Sequence, residues 1–253
     1  MDEKVFIRGI ERFDAAEFAD ALLSAGPEET RALRARLGPD AFERMRERAA
    51  EARMRSGARG NVVVLHGIMG GELTEYETDA QPRAVWLKLL RIRCGGFSLL
   101  PLAGGASVRR IAATGILKRY YGELLLSLMA QGWNTHAYWF DWRLDVRESA
   151  RTLALRIREW FKPGEHVHLV AHSMGGLVAR MFIRHHPQLW RAMWDAKGNG
   201  ARGGRLVMLG TPNHGSFAVP QMLFGLNDNL RKLALLDLFH SLRELIEVAK
   251  TFT

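Results

Sequence analysis

The residues best suited to chemistry surround a serine that follows a short apolar stretch. The segment 166–180 reads His-Val-His-Leu-Val-Ala-His-Ser-Met-Gly-Gly-Leu-Val-Ala-Arg, so an apolar run leads into Ser173, two glycines and a second apolar run. This order predicts a strand, a very sharp turn and a helix, with the serine held in a strained backbone conformation at the turn. A serine presented in this way can act as a nucleophile toward acyl carbon atoms.

Small residues on both sides of Ser173 support this interpretation. Ala171 lies two positions before the serine, and Gly175 and Gly176 follow it, where larger side chains would make the strand and the helix collide. Ala171 stands where the usual Gly-x-Ser-x-Gly pattern has its first glycine, and it adds only one methyl group. The competing interpretation is a serine that caps the helix starting at Met174. Capping requires neither the small preceding residue nor the paired glycines.

A nucleophilic serine also needs hydrogen-bond donors for the oxyanion that forms on the acyl oxygen. Met174 would supply one N–H, because it follows the nucleophile at the start of a helix, where the helix dipole also favours negative charge. A second donor is expected from the stretch 62–71, in which an apolar run ends as His-Gly-Ile-Met-Gly-Gly. Ile68 is the first choice for this donor and Met69 the second. The glycines that shape the loop are Gly67, Gly70 and Gly71.

Four short apolar runs predict the strands that would position these loops. They cover residues 62–66, 135–140, 166–171 and 205–210, and helices are predicted at 117–131 and 148–162. Strands that alternate with helices in this way indicate a parallel sheet covered on both faces. The stretch 91–107 is rich in glycine and has no clear period, so we interpret it as a loop or cap near a binding site.

The first 57 residues have a different pattern. Gly26-Pro27 and Gly38-Pro39 interrupt helical apolar spacing, and residues 56–60 have the composition of a linker. We therefore divide the chain into a small helical N-terminal appendage, residues 1–57, and an α/β core, residues 58–253. The sequence does not identify a protein partner for the appendage.

The composition limits the classes of protein to which this chain can belong. The chain has 253 residues, of which 47% are hydrophobic and 25% charged, as expected for one main globular domain. No apolar run approaches the length of a membrane span, the N-terminus lacks a secretory signal, and the single Cys94 cannot form an intramolecular disulfide. These features favour a cytoplasmic protein. Because no metal-ligand cluster and no nucleotide-binding glycine pattern is found, we expect no metal and no cofactor.

The charge is strongly positive. The chain has 36 Lys and Arg against 27 Asp and Glu, which gives a net charge of +9 and a pI near 10.2. Because the arginines are spread through the helical segments, we interpret them as a solvated surface and do not expect nucleic acid binding. The charge is also suited to contact with an anionic membrane surface, and such contact would weaken with salt.

Several motifs together resemble the α/β-hydrolase superfamily. They are Leu-His-Gly-Ile-Met-Gly-Gly at 65–71, Ala-His-Ser-Met-Gly-Gly at 171–176 and Leu-Gly-Thr-Pro-Asn-His-Gly-Ser at 209–216. Segments 113–122 and 138–143 further resemble the lecithin:cholesterol acyltransferase-like lipases and acyltransferases, although Phe140 stands where that family usually has tyrosine. The resemblance covers about residues 61–250. It implies an α/β-hydrolase fold and an acyl-enzyme on Ser173, formed from an ester or lipid-like substrate, whose acyl group passes to water or an alcohol.

The acid and the base of a catalytic triad are harder to locate. In this fold they follow the serine in the order acid, then histidine, on later loops. His214, in the loop after the last predicted strand, is the best remaining candidate for the base, but the preferred interpretation is a histidine that stabilises its own turn or lines the substrate site. His240 and Asp237, three apart on a predicted helix, are not expected to serve the serine. We interpret Asp141 as structural, either paired with Arg143 or capping the chain after Trp142.

Residues 217–253 predict helices and no further strand, so the usual positions for acid and base are missing from the predicted elements. The expectation is that both lie beyond residue 253 and that the core lacks its C-terminal strands. The sequence therefore favours a serine hydrolase or acyltransferase. The alternative is a catalytically incomplete or degenerate hydrolase fold that acts as an interaction or regulatory module.

Overall fold

The computed structural model describes residues 9–55, 57, 59–76, 81–102, 110–194 and 203–252. Within these residues the strands are β1 (Gly60–Leu65), β2 (Gly71–Tyr76), β3 (Arg83–Trp86), β4 (Arg110–Ile116), β5 (Trp133–Tyr138), β6 (Val167–His172) and β7 (Leu206–Leu209). The helices are α1 (Ala15–Ser24), α2 (Pro27–Leu37), α3 (Pro39–Met54), α4 (Leu89–Arg93), α5 (Lys118–Ala130), α6 (Val146–Trp160), α7 (Met174–His185), α8 (Pro187–Trp194), α9 (Ala218–Leu223), α10 (Asp228–Leu236) and α11 (Leu242–Lys250).

The main sheet contains the four strands that the apolar runs predicted. Its order is β5-β1-β6-β7, and all neighbouring strands are parallel. Alternate residues of β1 face opposite sides, so Val62 and Val64 pack against α5, while Val63 and Leu65 join the cluster that contains α6 and α7. Both faces of the central strand are buried, which explains its unbroken apolar sequence. The predicted α/β class, a mostly parallel sheet flanked by helices, is confirmed.

A second, antiparallel sheet in the order β3-β2-β4 was not expected from the sequence. Its central strand carries Glu72 and Glu75, which are 1% and 2% exposed and pair with Arg36 and Arg91. Charged residues in a sequence normally indicate a solvent-exposed face. Pattern analysis therefore does not recognise a strand whose carboxylates are buried and paired with residues far away in the sequence. Gly71, which we placed in a loop, is the first residue of this strand.

The stretch predicted as a loop or cap, residues 91–107, contains more regular structure than expected. Its first residues end α4, and Gly96–Leu99 form a 3-10 turn. Phe97 in this turn is fully buried and packs edge-on against Trp86 and Phe252. Residues 103–109 lie outside the described residues.

The N-terminal helices form their own apolar cluster against α5. Phe18, Leu22, Leu33 and Phe42 are buried together with Leu126 of α5. The helical character predicted for this region is confirmed for the described residues, and the division of the chain between residues 57 and 58 stays a prediction.

A buried charged group fastens the same region to α5. The Lys118 ammonium donates hydrogen bonds to the backbone carbonyl oxygens of Glu11, at 3.1 Å, and Phe13, at 2.7 Å. The Glu11 carboxylate accepts from the Lys118 N–H and from Arg36. Because Lys118 is 0% exposed, its ammonium depends on these carbonyl groups in place of water.

The C-terminal region is helical, as predicted, but one helix ends earlier than expected. α10 stops at Leu236, and Asp237 and His240 lie in the turn before α11. Asp237 accepts from the N–H groups of Phe239 and His240, so its side chain stabilises a turn that ends the helix. The placement of both residues on one helix was therefore wrong. None of the helices within the described ranges has the length and apolar character that crossing a bilayer requires.

Candidate active site

Ser173 occupies the turn between β6 and α7 in a backbone conformation that is unusual for a residue with a side chain. Its φ is +52° and its ψ is −121°, and its side chain makes no capping hydrogen bond to the helix. The interpretation of Ser173 as a simple helix cap is therefore not supported. The Ser173 N–H donates to the carbonyl oxygen of Leu209 at 2.8 Å, which ties the turn to the end of β7. Strain of this kind persists only where surrounding structure enforces it.

The small residues around the turn have no room for larger side chains. A Cβ atom on Gly175 would lie 2.5 Å from the backbone oxygen of His66, and one on Gly176 would lie 1.9 Å from Thr211 Oγ1. Ala171 is fully buried. The backbone oxygen that a Cβ atom on Gly175 would meet cannot rotate away. α7 can therefore approach β1 this closely only because residue 175 is glycine.

The loop after β1 lies directly against the nucleophile turn. A Cβ atom on Gly67 would be 2.8 Å from Ser173 Cβ, and Met69 adopts a positive φ of 61°. Among the described residues, none accepts a hydrogen bond from the N–H of Ile68, Met69 or Met174. Met174 is also the first residue of α7, where N–H groups have no partner within the helix. These N–H groups are therefore free for an external acceptor.

Two indole groups hold the far end of this loop. Trp86 Nε1–H donates to the carbonyl oxygen of Met69 at 2.8 Å, and Trp142 Nε1–H donates to that of Gly71 at 3.1 Å. A Cβ atom on Gly70 would lie 2.9 Å from the Tyr121 ring, and one on Gly71 would lie 2.7 Å from His66 Nε2. The loop is thus fixed by its carbonyl groups and packed along its glycines, while the N–H groups of Ile68 and Met69 stay available.

The His66 ring supports this loop, and both of its nitrogen atoms make hydrogen bonds. Its Nδ1 contacts the carbonyl oxygen of Gly67 at 2.7 Å, and its Nε2 accepts the N–H of Phe140 at 3.1 Å. A carbonyl can only accept and an N–H can only donate, so the ring is neutral with its proton on Nδ1. Complete burial lowers the pKa of His66 to about 4. His66 therefore has no nitrogen left to act as a base toward Ser173.

The candidate base His214 lies in an exposed turn beside α7. Arg180 of α7 donates to Asn213 Oδ1 at 2.8 Å, and Thr211 of the same loop packs on Gly176. In the part of the chain that the structure describes, no hydrogen bond joins the Ser173 hydroxyl to a histidine or a carboxylate. The role of His214 as base stays a prediction.

The two other acid and base candidates have local partners. Asp141 makes a two-point ion pair with Arg143, in which Nε is 2.9 Å from Oδ1 and Nη2 is 2.5 Å from Oδ2. Arg143 is 3% exposed and also donates to the carbonyl oxygen of Leu100, so this pair has the structural role predicted for it. His240 Nδ1 lies 3.2 Å from Asp237 Oδ2, and a Cβ atom on Gly95 would lie 2.7 Å from the His240 ring.

A comparison with models of protein families identifies the family of this chain. The family model for lecithin:cholesterol acyltransferase matches residues 78–245, about two thirds of the sequence. The chain belongs to the lecithin:cholesterol acyltransferase family. A comparison with curated proteins found no match. Membership in the lecithin:cholesterol acyltransferase family points to acyltransferase or hydrolase chemistry on lipid-like substrates.

A cavity suited to such a substrate lies beside the loop. It has a volume of about 510 Å³, and its walls include Ile68, Trp86, Leu87, Leu124, His172 and Leu209. Apolar side chains line most of this cavity, which lies next to the Ser173 turn. Sequence analysis missed Trp86, Leu87 and Leu124 because they reach the cavity from β3, the turn after it and α5, and only tertiary packing unites these elements. Among the described residues, no three His, Cys, Asp or Glu side chains are grouped as metal ligands.

Proposed function

We propose that the protein is a serine esterase or acyltransferase for lipid-like esters, with Ser173 as its nucleophile. The observation that carries the proposal is the strained Ser173 backbone, at φ +52°, beside N–H groups of Ile68 and Met174 that have no acceptor among the described residues. Holding a serine in this region costs of order 1–3 kcal/mol, which a helix-capping or packing role does not require.

The reaction would proceed in two acyl transfers. Ser173 Oγ attacks the ester carbonyl carbon and gives up its proton to a base, and the carbonyl oxygen becomes an oxyanion that accepts from Ile68 and Met174. The C–O bond to the alcohol then breaks, the departing alkoxide takes the proton, and the acyl group stays on Ser173. Water or a second alcohol attacks the acyl-serine in the same way and releases an acid or a new ester. Met69 is the second choice for the loop donor.

The cavity supports lipid-like substrates. Its volume of about 510 Å³ lies in the range of sites for small organic ligands, and Leu87, Leu124 and Leu209 line it. An acyl chain in this cavity would leave water, and each buried methylene contributes roughly 0.8 kcal/mol.

The competing proposal is a catalytically incomplete hydrolase fold that serves as an interaction or regulatory module. It is supported by the lack of any described hydrogen bond between Ser173 Oγ and a base. A scaffold, however, gains nothing from a strained serine or from glycines that hold two loops in contact.

Fluorophosphonate labelling read by intact mass separates these proposals. With His214 as the base, we expect one label per wild-type molecule, no label on Ser173→Ala, and normal labelling of the control Ser24→Ala, whose hydroxyl bonds within α1. A His214→Asn variant tests the base, and slow labelling of this variant would assign that role to His214. A folded wild-type protein that takes no label would contradict the esterase proposal and favour the module.

We also propose peripheral contact with anionic membrane surfaces. The net charge of +9 favours it, and Phe217 and Phe224, at the two ends of α9, are 86% and 78% exposed. Co-sedimentation with vesicles should increase with the fraction of phosphatidylserine and decrease with salt. Sedimentation that is independent of both would contradict this proposal.

A further inference from the structure

The hydroxyl group of Tyr121 joins the two loops that meet at Ser173. Tyr121 lies on α5 and is 7% exposed. Its Oη accepts the N–H of Gly67 at 2.8 Å and lies 2.9 Å from His172 Nδ1. Gly67 directly precedes Ile68, and His172 directly precedes Ser173. One phenol oxygen therefore bridges the residue before the proposed oxyanion donor and the residue before the proposed nucleophile.

The phenol group can serve both neighbours at once. The Gly67 N–H can only donate, so Oη accepts from it, and the phenol proton is available to His172 Nδ1 at 2.9 Å. Burial raises the pKa of Tyr121, so the phenol keeps this proton. Each of the three groups has a partner, and no second described side chain offers one to the Gly67 N–H.

The surroundings leave the bridge little freedom. Gly67 and Gly70 are buried, and a Cβ atom on Gly70 would lie 2.9 Å from Tyr121 Oη. A buried N–H without an acceptor is costly, so the loop would move to find another partner if the hydroxyl were absent. The neighbouring Tyr120 is 61% exposed, and its hydroxyl makes no hydrogen bond within the described residues.

We propose that Tyr121 is a positioning residue, which sets the distance between the Ile68 N–H and Ser173 by holding Gly67 and His172 together. This inference rests on the proposed function of Ser173. An oxyanion donor stabilises the transition state only at hydrogen-bond distance from the oxygen that becomes negative, so a small shift of the loop lowers kcat. Tyr121 also lines the apolar cavity, but Tyr121→Phe keeps its ring there, so substrate binding should change little.

The test is Tyr121→Phe, which keeps the ring and removes only the hydroxyl. The control is Tyr138→Phe, because Tyr138 is also buried and its hydroxyl donates to the Ser149 carbonyl oxygen on the other side of the sheet from α5. We expect Tyr121→Phe to lower kcat for a short ester by roughly 10- to 100-fold with little change in KM. The control Tyr138→Phe should keep the wild-type kcat, even if its melting temperature falls more than that of Tyr121→Phe.

Amide hydrogen exchange gives a readout that needs no activity. The Gly67 amide should exchange faster in Tyr121→Phe than in the wild type, and the ring nitrogen shifts of His172 should lose the signature of a hydrogen-bonded Nδ1. Wild-type protection of Gly67 in the variant would overturn the proposal, and so would an unchanged kcat or an equal loss of kcat in both variants. If the wild type itself lacks esterase activity, the proposed function fails, and faster Gly67 exchange alone then decides whether Tyr121 positions the loop.

Discussion

His66 and Phe140 stack face to face, with ring centroids 4.1 Å apart and ring planes 7° apart. They follow the ends of the neighbouring parallel strands β1 and β5, and the Phe140 N–H donates to the His66 ring that supports the Gly67 carbonyl. The imidazole thus links the proposed oxyanion loop to the segment that carries Asp141. This link requires a neutral ring, since a proton on Nε2 would point at an N–H donor.

His66 should make the protein less stable in mild acid. Its pKa is about 4 in the folded state and 6.5 for an ordinary histidine, so the unfolded chain takes up the proton first as the pH falls. The stabilisation is complete above pH 6.5 and is lost between 6.5 and about 4, by roughly 3 kcal/mol in the free energy of unfolding. Urea unfolding at several pH values measures it.

The matched variant for that measurement is His66→Gln, whose amide can donate and accept but does not titrate. Its free energy of unfolding should fall less between pH 7 and pH 4.5 than that of the wild type. Parallel curves for the two proteins would mean that other groups cause the acid sensitivity.

Removal of the Asp141 carboxylate should reduce stability without removing the chemistry. In Asp141→Ala, the guanidinium of Arg143 loses its buried partner, which costs about 3–5 kcal/mol. Differential scanning calorimetry measures the loss, and Glu159→Ala, which breaks an exposed pair with Arg156, serves as the control. Fluorophosphonate labelling per folded molecule should match the wild type. Folded Asp141→Ala that takes no label would make Asp141 a triad acid instead.

Gly175→Ala should disrupt the nucleophile turn. Its new methyl group would meet two backbone oxygens, those of His66 and Leu65, at 2.5 and 2.9 Å. We expect a loss of about 2–3 kcal/mol in the free energy of unfolding and loss of Ser173 labelling. Gly9→Ala is the control, since the nearest atom there, on Phe13, is 4.0 Å away. Normal labelling of Gly175→Ala would show that the turn tolerates a wider separation from β1.

The cavity should set the preferred acyl length. Leu124→Trp would fill part of its volume, so hydrolysis of long-chain nitrophenyl esters should fall by at least about tenfold relative to the acetyl ester. Leu155→Trp, at a position that is 54% exposed on α6, is the control and should keep the wild-type profile. An equal fall for all chain lengths in Leu124→Trp would exclude the cavity as the acyl site.

Lys118→Ala should loosen the N-terminal helices. The substitution leaves the carbonyl groups of Glu11 and Phe13 without their donor and removes a fully buried stem, at a combined cost of about 3 kcal/mol. Limited proteolysis should then cut within residues 15–54 faster than in the wild type. Lys250→Ala, which breaks an exposed pair with Glu247, should not change the cleavage rate. Equal cleavage of both variants would contradict the anchoring role.

The main sheet and the nucleophile turn could be predicted because their signals are local. Val62–Leu65 is apolar throughout, Val167–Ala171 is apolar except for His168, and small residues flank Ser173 in the sequence. The second sheet could not be predicted, because the pairing of Glu75 with Arg91 becomes visible only in the folded structure.

Within the candidate site, contacts between segments far apart in the sequence could not be predicted either. Tyr121 and His172 are 51 positions apart, and nothing in either segment predicts that a hydroxyl and an imidazole will meet. The support that His66 gives the loop depends on Phe140, which follows another strand, so it could not be predicted either.

The attachment of the N-terminal helices to α5 has a consequence for synthesis on the ribosome. Residues 15–54 emerge first, but Lys118 and Leu126, which complete their packing, are made much later. At about 5–20 residues per second, the interval between residues 54 and 118 lasts roughly 3–13 s. During this time the apolar side of Phe18 and Phe42 lacks its final neighbour, so the N-terminal helices of the nascent chain expose apolar surface until α5 has been translated.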